Sequence, residues 1–162
     1  MARAYLGFGS NLGDRKQRIL TAMELLDTAD GVSVVSRSLL FETCPEGETD
    51  QPLFLNAAAG VETTLTPREL LECIRKIEEG IGRTPTYRWG PREIDIDILL
   101  FDDRVIDEKG LTIPHPRMHE RAFVLAPLAQ IAPEAVHPVL GKTIGDLLFG
   151  LGPISGVTPS GE

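Results

Sequence analysis

Cysteine, aromatic side chains and positive charge are all in short supply, and each shortage excludes something. The 2 cysteines, Cys44 and Cys73, do not have the C-x-x-C spacing of a redox or zinc pair. Nor do they form the dense framework of a small secreted domain, so both are expected as reduced thiols. With 16 Lys and Arg against 24 Asp and Glu, the net charge is -8 and the pI about 4.9. Nucleic acid and anionic membrane surfaces would repel such a chain as a whole. No apolar run approaches the ~18 residues of a membrane span, and Met1-Ala2-Arg3 runs directly into a strand pattern, without leader architecture. The expectation is a soluble, cytoplasmic protein. Its 162 residues with 42% apolar content suit one domain with a substantial core. That domain is expected over residues 1–149, with residues 150–162 as a frayed tail rich in Gly, Pro and Ser.

Against this acidic background three arginines, Arg83, Arg88 and Arg92, crowd into one stretch. Immediately after them Ile94, Ile96 and Ile98 alternate with Asp95 and Asp97, the period-2 pattern of a strand, so the two acids share a face. Their Cα atoms would lie roughly 6.5 to 7 Å apart, from a rise of about 3.3 Å per residue. Paired hard oxygen ligands suit Mg²⁺, which keeps waters and takes only one or two protein carboxylates beside substrate phosphates. Taken alone, the acids read equally as a solvated strand face or as salt-bridge partners of the arginines. Trp89, Gly90 and Pro91 between the arginines favour a shaped pocket wall. Arginines for polyphosphate and acids for its metal make a phosphoryl-transfer site.

Taken in order, residues 4–8 read as a strand stopping at Gly9. Asp14 caps a helix whose Ile19, Ala22, Met23, Leu26 and Ala29 fall at helical spacing, ending at Asp30-Gly31. Residues 32–41 form one long β-branched strand, residues 42–52 a long Pro- and Gly-bearing loop, and residues 53–61 an antiparallel partner strand. Asn56 in that strand reads either as a structural hydrogen-bonding residue or as an edge-on contact to a heterocycle. Thr66-Pro67-x-Glu69 opens a second helix with a capping box. Its stripe is Leu70, Leu71, Ile74, Ile77 and Ile81, with Gly80 and Gly82 at its end, and Glu78 reads as a solvated helix acid. Residues 104–106 and 111–113 form a small hairpin. A helix over 115–125 would carry His115 and His119 four residues apart, a zinc-compatible spacing with no third ligand near. A last helix covers 143–149. Strand, helix, strand, strand, helix, strand is the α+β ferredoxin-like βαββαβ order. Its helices should share one face of an antiparallel sheet, leaving the other for a site roofed by the two loops.

Arg88-Trp89-Gly90-Pro91-Arg92 followed by Asp95-Ile96-Asp97-Ile98 resembles the signature of the 6-hydroxymethyl-7,8-dihydropterin pyrophosphokinases. Gly9-Ser10-Asn11-Leu12-Gly13, Asp50-Gln51-Pro52 with Asn56-Ala57, and Pro114-His115-Pro116-Arg117-Met118 resemble the same family in the same order, from about Ala4 to Pro133. The resemblance implies ATP as co-substrate, two Mg²⁺ ions on Asp95 and Asp97, and Arg83 and Arg92 as catalytic side chains. It implies that Leu71, Arg75, Glu78, Arg88, Ile98, Thr112, His115 and Arg121 bind ATP. It also implies pterin between Phe54 and Phe123, with Gly9, Thr43, Pro45 and Asn56 against it and Trp89 closing over it. Core packing is the competing reading of Phe54 and Phe123. Cys44, Glu46 and Thr84-Pro85-Thr86-Tyr87 depart from the family pattern. A monomer binding neither nucleic acid nor membrane is expected. Another metal nucleotidyl- or phosphotransferase would share the acid pair, whereas a ligand sensor on the same fold would need no arginine cluster.

Overall fold

The computed structural model describes residues 1–10, 14–43, 54–81, 94–152 and 157–159. Strand β1 (Ala2–Ser10) buries Ala4, Leu6 and Phe8 on one face and turns Tyr5, Gly7 and Gly9 to the other. Helix α1 (Arg15–Thr28) follows. Asp14 caps it, Oδ1 accepting from the Gln17 N–H at 3.1 Å. It buries Ile19, Ala22, Met23 and Leu26 and stops at Thr28, before Gly31 takes a left-handed φ of 81°.

The long strand expected over 32–41 is two strands, β2 (Val32–Arg37) and β3 (Phe41–Thr43). Both pair antiparallel with β4 (Phe54–Thr63). Ser38 causes the break: its Oγ accepts the Ala58 N–H at 2.8 Å, where a strand would offer a carbonyl. The freed Leu39 N–H donates to Gln130 Oε1 at 2.6 Å.

Helix α2 (Pro67–Ile81) begins with the expected reciprocal cap. The Thr66 N–H donates to Glu69 Oε1 at 2.9 Å and the Glu69 N–H to Thr66 Oγ1 at 3.1 Å. Leu70, Ile74 and Ile77 are buried, Leu71 and Ile81 partly so. Gly80 lies inside the last turn rather than ending the helix, and Gly82 lies outside the described residues. Strand β5 (Asp95–Phe101) leads to the hairpin β6 (Ile106–Glu108) and β7 (Leu111–Ile113).

No single helix covers 115–125. A 3-10 turn (Met118–Glu120) is followed, after extended Arg121, by α3 (Ala122–Ile131). Helix α4 (Ile144–Gly150) is capped by Thr143, whose Oγ1 accepts from the Asp146 N–H at 3.1 Å. Of the tail expected to fray, Val157–Pro159 forms β8 and pairs with β3.

The main sheet has strand order β5-β1-β4-β3-β8, with β2 beside β3 along β4, and every pairing is antiparallel. Helices α1 and α2 pack on one face, as expected for the split unit, against Leu6, Phe8, Ala57, Ala59, Val61, Ile96 and Ile98. The second face is not left wholly to loops. Helices α3 and α4 bring Leu125, Leu128 and Ile144 against Tyr5, Ala58, Leu99 and Leu100. The remaining part of that face, at the ends of β1, β4 and β5, carries the site. Among the described residues no helix is long and apolar enough to cross a membrane.

Candidate active site

Strand alternation and register place the acids. Asp95 lies opposite Gly9, which lies opposite Asn56, which lies opposite Phe41. One row along, Asp97 faces Gly7, and Gly7 faces Ala58. Asp95 and Asp97 are exposed while Ile96 and Ile98 between and beyond them are buried among the helix-face core. Two strand spacings, about 10 Å, separate the acids from Asn56, and glycine alone stands between. A Cβ on Gly9 would come 3.0 Å from Asn56 Nδ2, and one on Gly7 3.3 Å from Leu99 Cδ1. The glycines thus make a flat floor with an acid pair on one side and a buried amide on the other. Half-buried Phe54, in register with Thr43, extends the amide side along β4.

A second group of side chains gathers around His115, which lies near enough to Asp97 to feel its charge. The His115 N–H donates to the Leu99 carbonyl at 3.1 Å, tying the segment after β7 to β5. Its Nδ1 accepts the Arg117 N–H at 3.3 Å, which suits a neutral ring with the proton on Nε2. Burial pushes the His115 pKa down, Asp97 opposes this, and Arg121 and Arg117 add to it. Arg121 Nε is buried and has no hydrogen-bond partner among the described residues, and its guanidinium carbon lies 5.6 Å from the Phe123 ring centre. A buried cationic donor without an acceptor is suited to an anionic ligand.

Leu71, Arg75 and Glu78 line one flank of α2, next to β5 at the sheet edge. Burial raises the Glu78 pKa and Asp95 adds to that, while bonds from Ile96 and Arg75 oppose it. Exposed Thr112 lies on β7, which also contacts β5. Ile98 points into the helix-face core, away from the acid pair. Arg83, Arg88, Trp89, Arg92 and Pro45, with Cys44, Glu46 and Thr84-Pro85-Thr86-Tyr87, lie outside the described residues; of Thr43 only the backbone is described. Gly7 is not among the residues that the sequence motifs bring forward, and Arg117 stands in one of those motifs without a site role expected of it. Gly7 stands two residues before Gly9, and strand alternation alone would have placed it on the same face.

Two carboxylates on one exposed strand face, with glycines as their neighbours on β1, fit a hard divalent cation that draws its other ligands from water and phosphate. Among the described residues no three His, Cys, Asp or Glu side chains gather as a metal site. The zinc reading of His115 with His119 fails with the helix that would have aligned them. His119 instead meets His137 edge-on, with ring centres 6.3 Å apart at 79°.

An acid pair beside a glycine floor, with a histidine and a buried arginine Nε nearby, has the chemical make-up that suits phosphate held with a divalent metal. The profile of the 7,8-dihydro-6-hydroxymethylpterin-pyrophosphokinase family matches residues 5–133. The pyrophosphokinase of Methylorubrum extorquens is 47% identical over 153 residues, covering 94% of this chain and 96% of that one. The Bacillus subtilis pyrophosphokinase is 50% identical over 128 residues, covering 79% and 77%. The folic acid synthesis protein fol1 of Schizosaccharomyces pombe is 43% identical over 145 residues, which make up 90% of this chain but 20% of that protein. A crystal structure of Plasmodium falciparum HPPK-DHPS superposes with a TM-score of 0.75 at 21% identity. It covers 92% of this chain and 45% of that one, a likeness of fold. The chain belongs to the 7,8-dihydro-6-hydroxymethylpterin-pyrophosphokinase family.

Proposed function

We propose that this chain transfers pyrophosphate from ATP to 6-hydroxymethyl-7,8-dihydropterin, giving AMP and the pterin diphosphate in folate biosynthesis. The observation that carries the assignment of parts is the row Asp95–Gly9–Asn56. The Asp95 carboxylate and the Asn56 amide lie about 10 Å apart with glycine between them, which supports reading the one as a metal ligand and the other as a contact to the heterocycle. Strand order β5-β1-β4 with β2 and β3 both along the far edge of β4, and α1 and α2 on one face, supports the ferredoxin-like reading.

The pterin lies flat on Gly7 and Gly9. Asn56 and the Thr43–Pro45 backbone read its edge, Phe54 and Phe123 stack on it, and Trp89 closes over it. ATP lies along the β5 edge, with Leu71, Arg75 and Thr112 around the nucleoside and Arg88, His115 and Arg121 on the phosphates, while Ile98 backs the strand from the helix-face core. Two Mg²⁺ ions, when bound to Asp95 and Asp97, supply charge neutralisation and lower the proton affinity of the attacking hydroxyl. The hydroxymethyl oxygen forms a bond to the β-phosphorus, the bond to the α-phosphate oxygen breaks, AMP leaves, and the hydroxyl proton passes to water. Arg83 and Arg92 stabilise the charge that develops, by bonds stronger there than in the ground state. The acidic net charge of -8 suits a cytoplasmic enzyme acting as a monomer.

The test is product analysis. With ATP, Mg²⁺ and the hydroxymethyl-dihydropterin, chromatography is expected to give AMP and pterin diphosphate in equal amounts. ADP as the stoichiometric product would make the chain an ordinary kinase, and free pyrophosphate would make it a nucleotidyltransferase.

A further inference from the structure

Among the described residues strand β5 ends the sheet, with a strand neighbour, β1, on one side only. Edge strands are the least constrained part of a sheet, yet this one carries both acids at its first turn of pleat. On the open side the Ile96 N–H donates to Glu78 Oε2 at 2.8 Å, and Glu78 Oε1 accepts from Arg75 Nη1 at 3.2 Å. The Glu78 side chain is 12% exposed. Both its oxygens are therefore engaged inside the protein, and a carboxylate there would repel a triphosphate rather than hold it. Ile96 is the residue between Asp95 and Asp97.

We infer that Glu78 is a positioning residue: by accepting the Ile96 N–H from helix α2, it fixes the backbone between the two acids, so that both carboxylates keep one orientation toward a divalent cation. This rests on the reading of Asp95 and Asp97 as metal ligands, and it replaces direct ATP contact as the role of Glu78. Carboxylate ligands are oriented in this way by partners that never touch the metal. The Leu99 carbonyl, which accepts the His115 N–H further along the same edge, anchors the strand a second time.

The test uses the full chain with Glu78→Ala and Glu78→Gln. Gln keeps an oxygen for the Ile96 N–H and loses the charge. Three readouts are compared with wild type: amide exchange at Ile96 by NMR, calorimetric affinity for ATP with Mg²⁺ and with EDTA, and kcat against KM. For Glu78→Ala the Ile96 amide is expected to exchange faster. Affinity for Mg·ATP should fall about 10- to 100-fold, metal-free ATP affinity should hold, and kcat should fall more than KM rises. Glu78→Gln should recover Ile96 protection and most of the Mg·ATP affinity. The inference is overturned if Ile96 protection survives in Glu78→Ala, if metal-free ATP affinity falls as far as Mg·ATP affinity, or if Gln is as defective as Ala. Should the Ala variant not fold, Glu78→Gln decides alone: lost Mg·ATP affinity with Ile96 protected overturns it. Exchange and calorimetry do not depend on the product formed, so failure of the pyrophosphokinase reading would show separately.

Discussion

The two faces of one sheet are built from the same strands and do opposite things. On the helix face Leu6, Phe8, Ala57, Ala59, Ile96 and Ile98 are buried against α1 and α2. A fully buried Leu or Ile contributes about 1.5 to 3 kcal/mol relative to exposure. One residue away along each strand, Gly7, Gly9, Asn56, Asp95 and Asp97 make the candidate site. These residues give little to the core, and the two acids oppose each other until a cation binds. A period of two therefore divides stability from chemistry without needing separate domains. The helix face can carry substitutions that cost stability and spare binding, and the site face the reverse.

The largest effect that would break this division is at the acids. Asp95→Asn and Asp97→Asn are each expected to lower turnover about a thousandfold, roughly 4 kcal/mol of transition-state stabilisation. The metal-free protein should be as stable as wild type or more so, because a like-charge repulsion is removed. Thermal midpoints without metal, beside Mg²⁺-dependent turnover, check both halves. A marked loss of stability with near-normal turnover would place the acids in the structural ledger and remove the metal site.

Leu6→Ala is the mirror experiment. Leu6 is fully buried on the helix face, with Gly7 on the other. A loss of about 2 to 5 kcal/mol is expected from lost transfer energy and the cavity left behind. In a domain this size that lowers Tm by roughly 5 to 15 °C, with Mg·ATP affinity kept below the midpoint. Equal losses in stability and affinity would show the two faces to be coupled.

A smaller effect is expected at Phe123, where Arg121 lies against the ring. Phe123→Ala should weaken pterin binding more than ATP binding, by about 0.5 to 1.5 kcal/mol for the lost stack plus the ring's buried area. Separate calorimetric titrations measure it. Equal weakening for both ligands, with a lower Tm, would assign Phe123 to packing.

What the sequence made legible was what is local. Alternation from Ile94 to Leu99 placed the acids on one face, and Asp14 and Thr66 announced their helices within one turn. The misread parts depend on residues far along the chain. Ser38 breaks a β-branched run because its hydroxyl meets Ala58. Helices α3 and α4 occupy part of the second face because Leu125, Leu128 and Ile144 find Ala58 and Leu99 there. Glu78 looked like a surface acid, since nothing in its own helix reveals the Ile96 N–H it meets. Likewise β8 becomes a strand only by adding to β3.

The smallest expected effect separates two histidines: half-buried His115, whose charge is felt by Asp97, and buried His137, which half-buried His119 meets edge-on. His137 lies at the turn that leads into α4, its carbonyl accepting the Gly141 N–H at 2.8 Å. His137 Nδ1 accepts the Val139 and Leu140 N–H groups at 3.3 and 3.2 Å, an arrangement that protonation at Nδ1 would break. Burial holds its pKa below the ordinary 6.5, the nearby His119 adds to this, and a backbone bond opposes it. In the unfolded chain the ring takes up its proton near that ordinary value, but the folded protein does so only at lower pH. Between the two, the unfolded state binds more protons, so stability falls as pH drops below about 6.5 and is flat above it. His137→Asn supplies an amide oxygen to the same two N–H groups and does not titrate. Its Tm should lie near or somewhat below wild type at neutral pH. It should then lose about 2 °C less than wild type on acidification through the histidine range. The remaining slope belongs in part to His115, whose pKa is lowered in the same direction but held up by Asp97. Identical acid slopes in wild type and His137→Asn would mean that the turn at His137 is insensitive to protonation, and that the acid lability lies elsewhere.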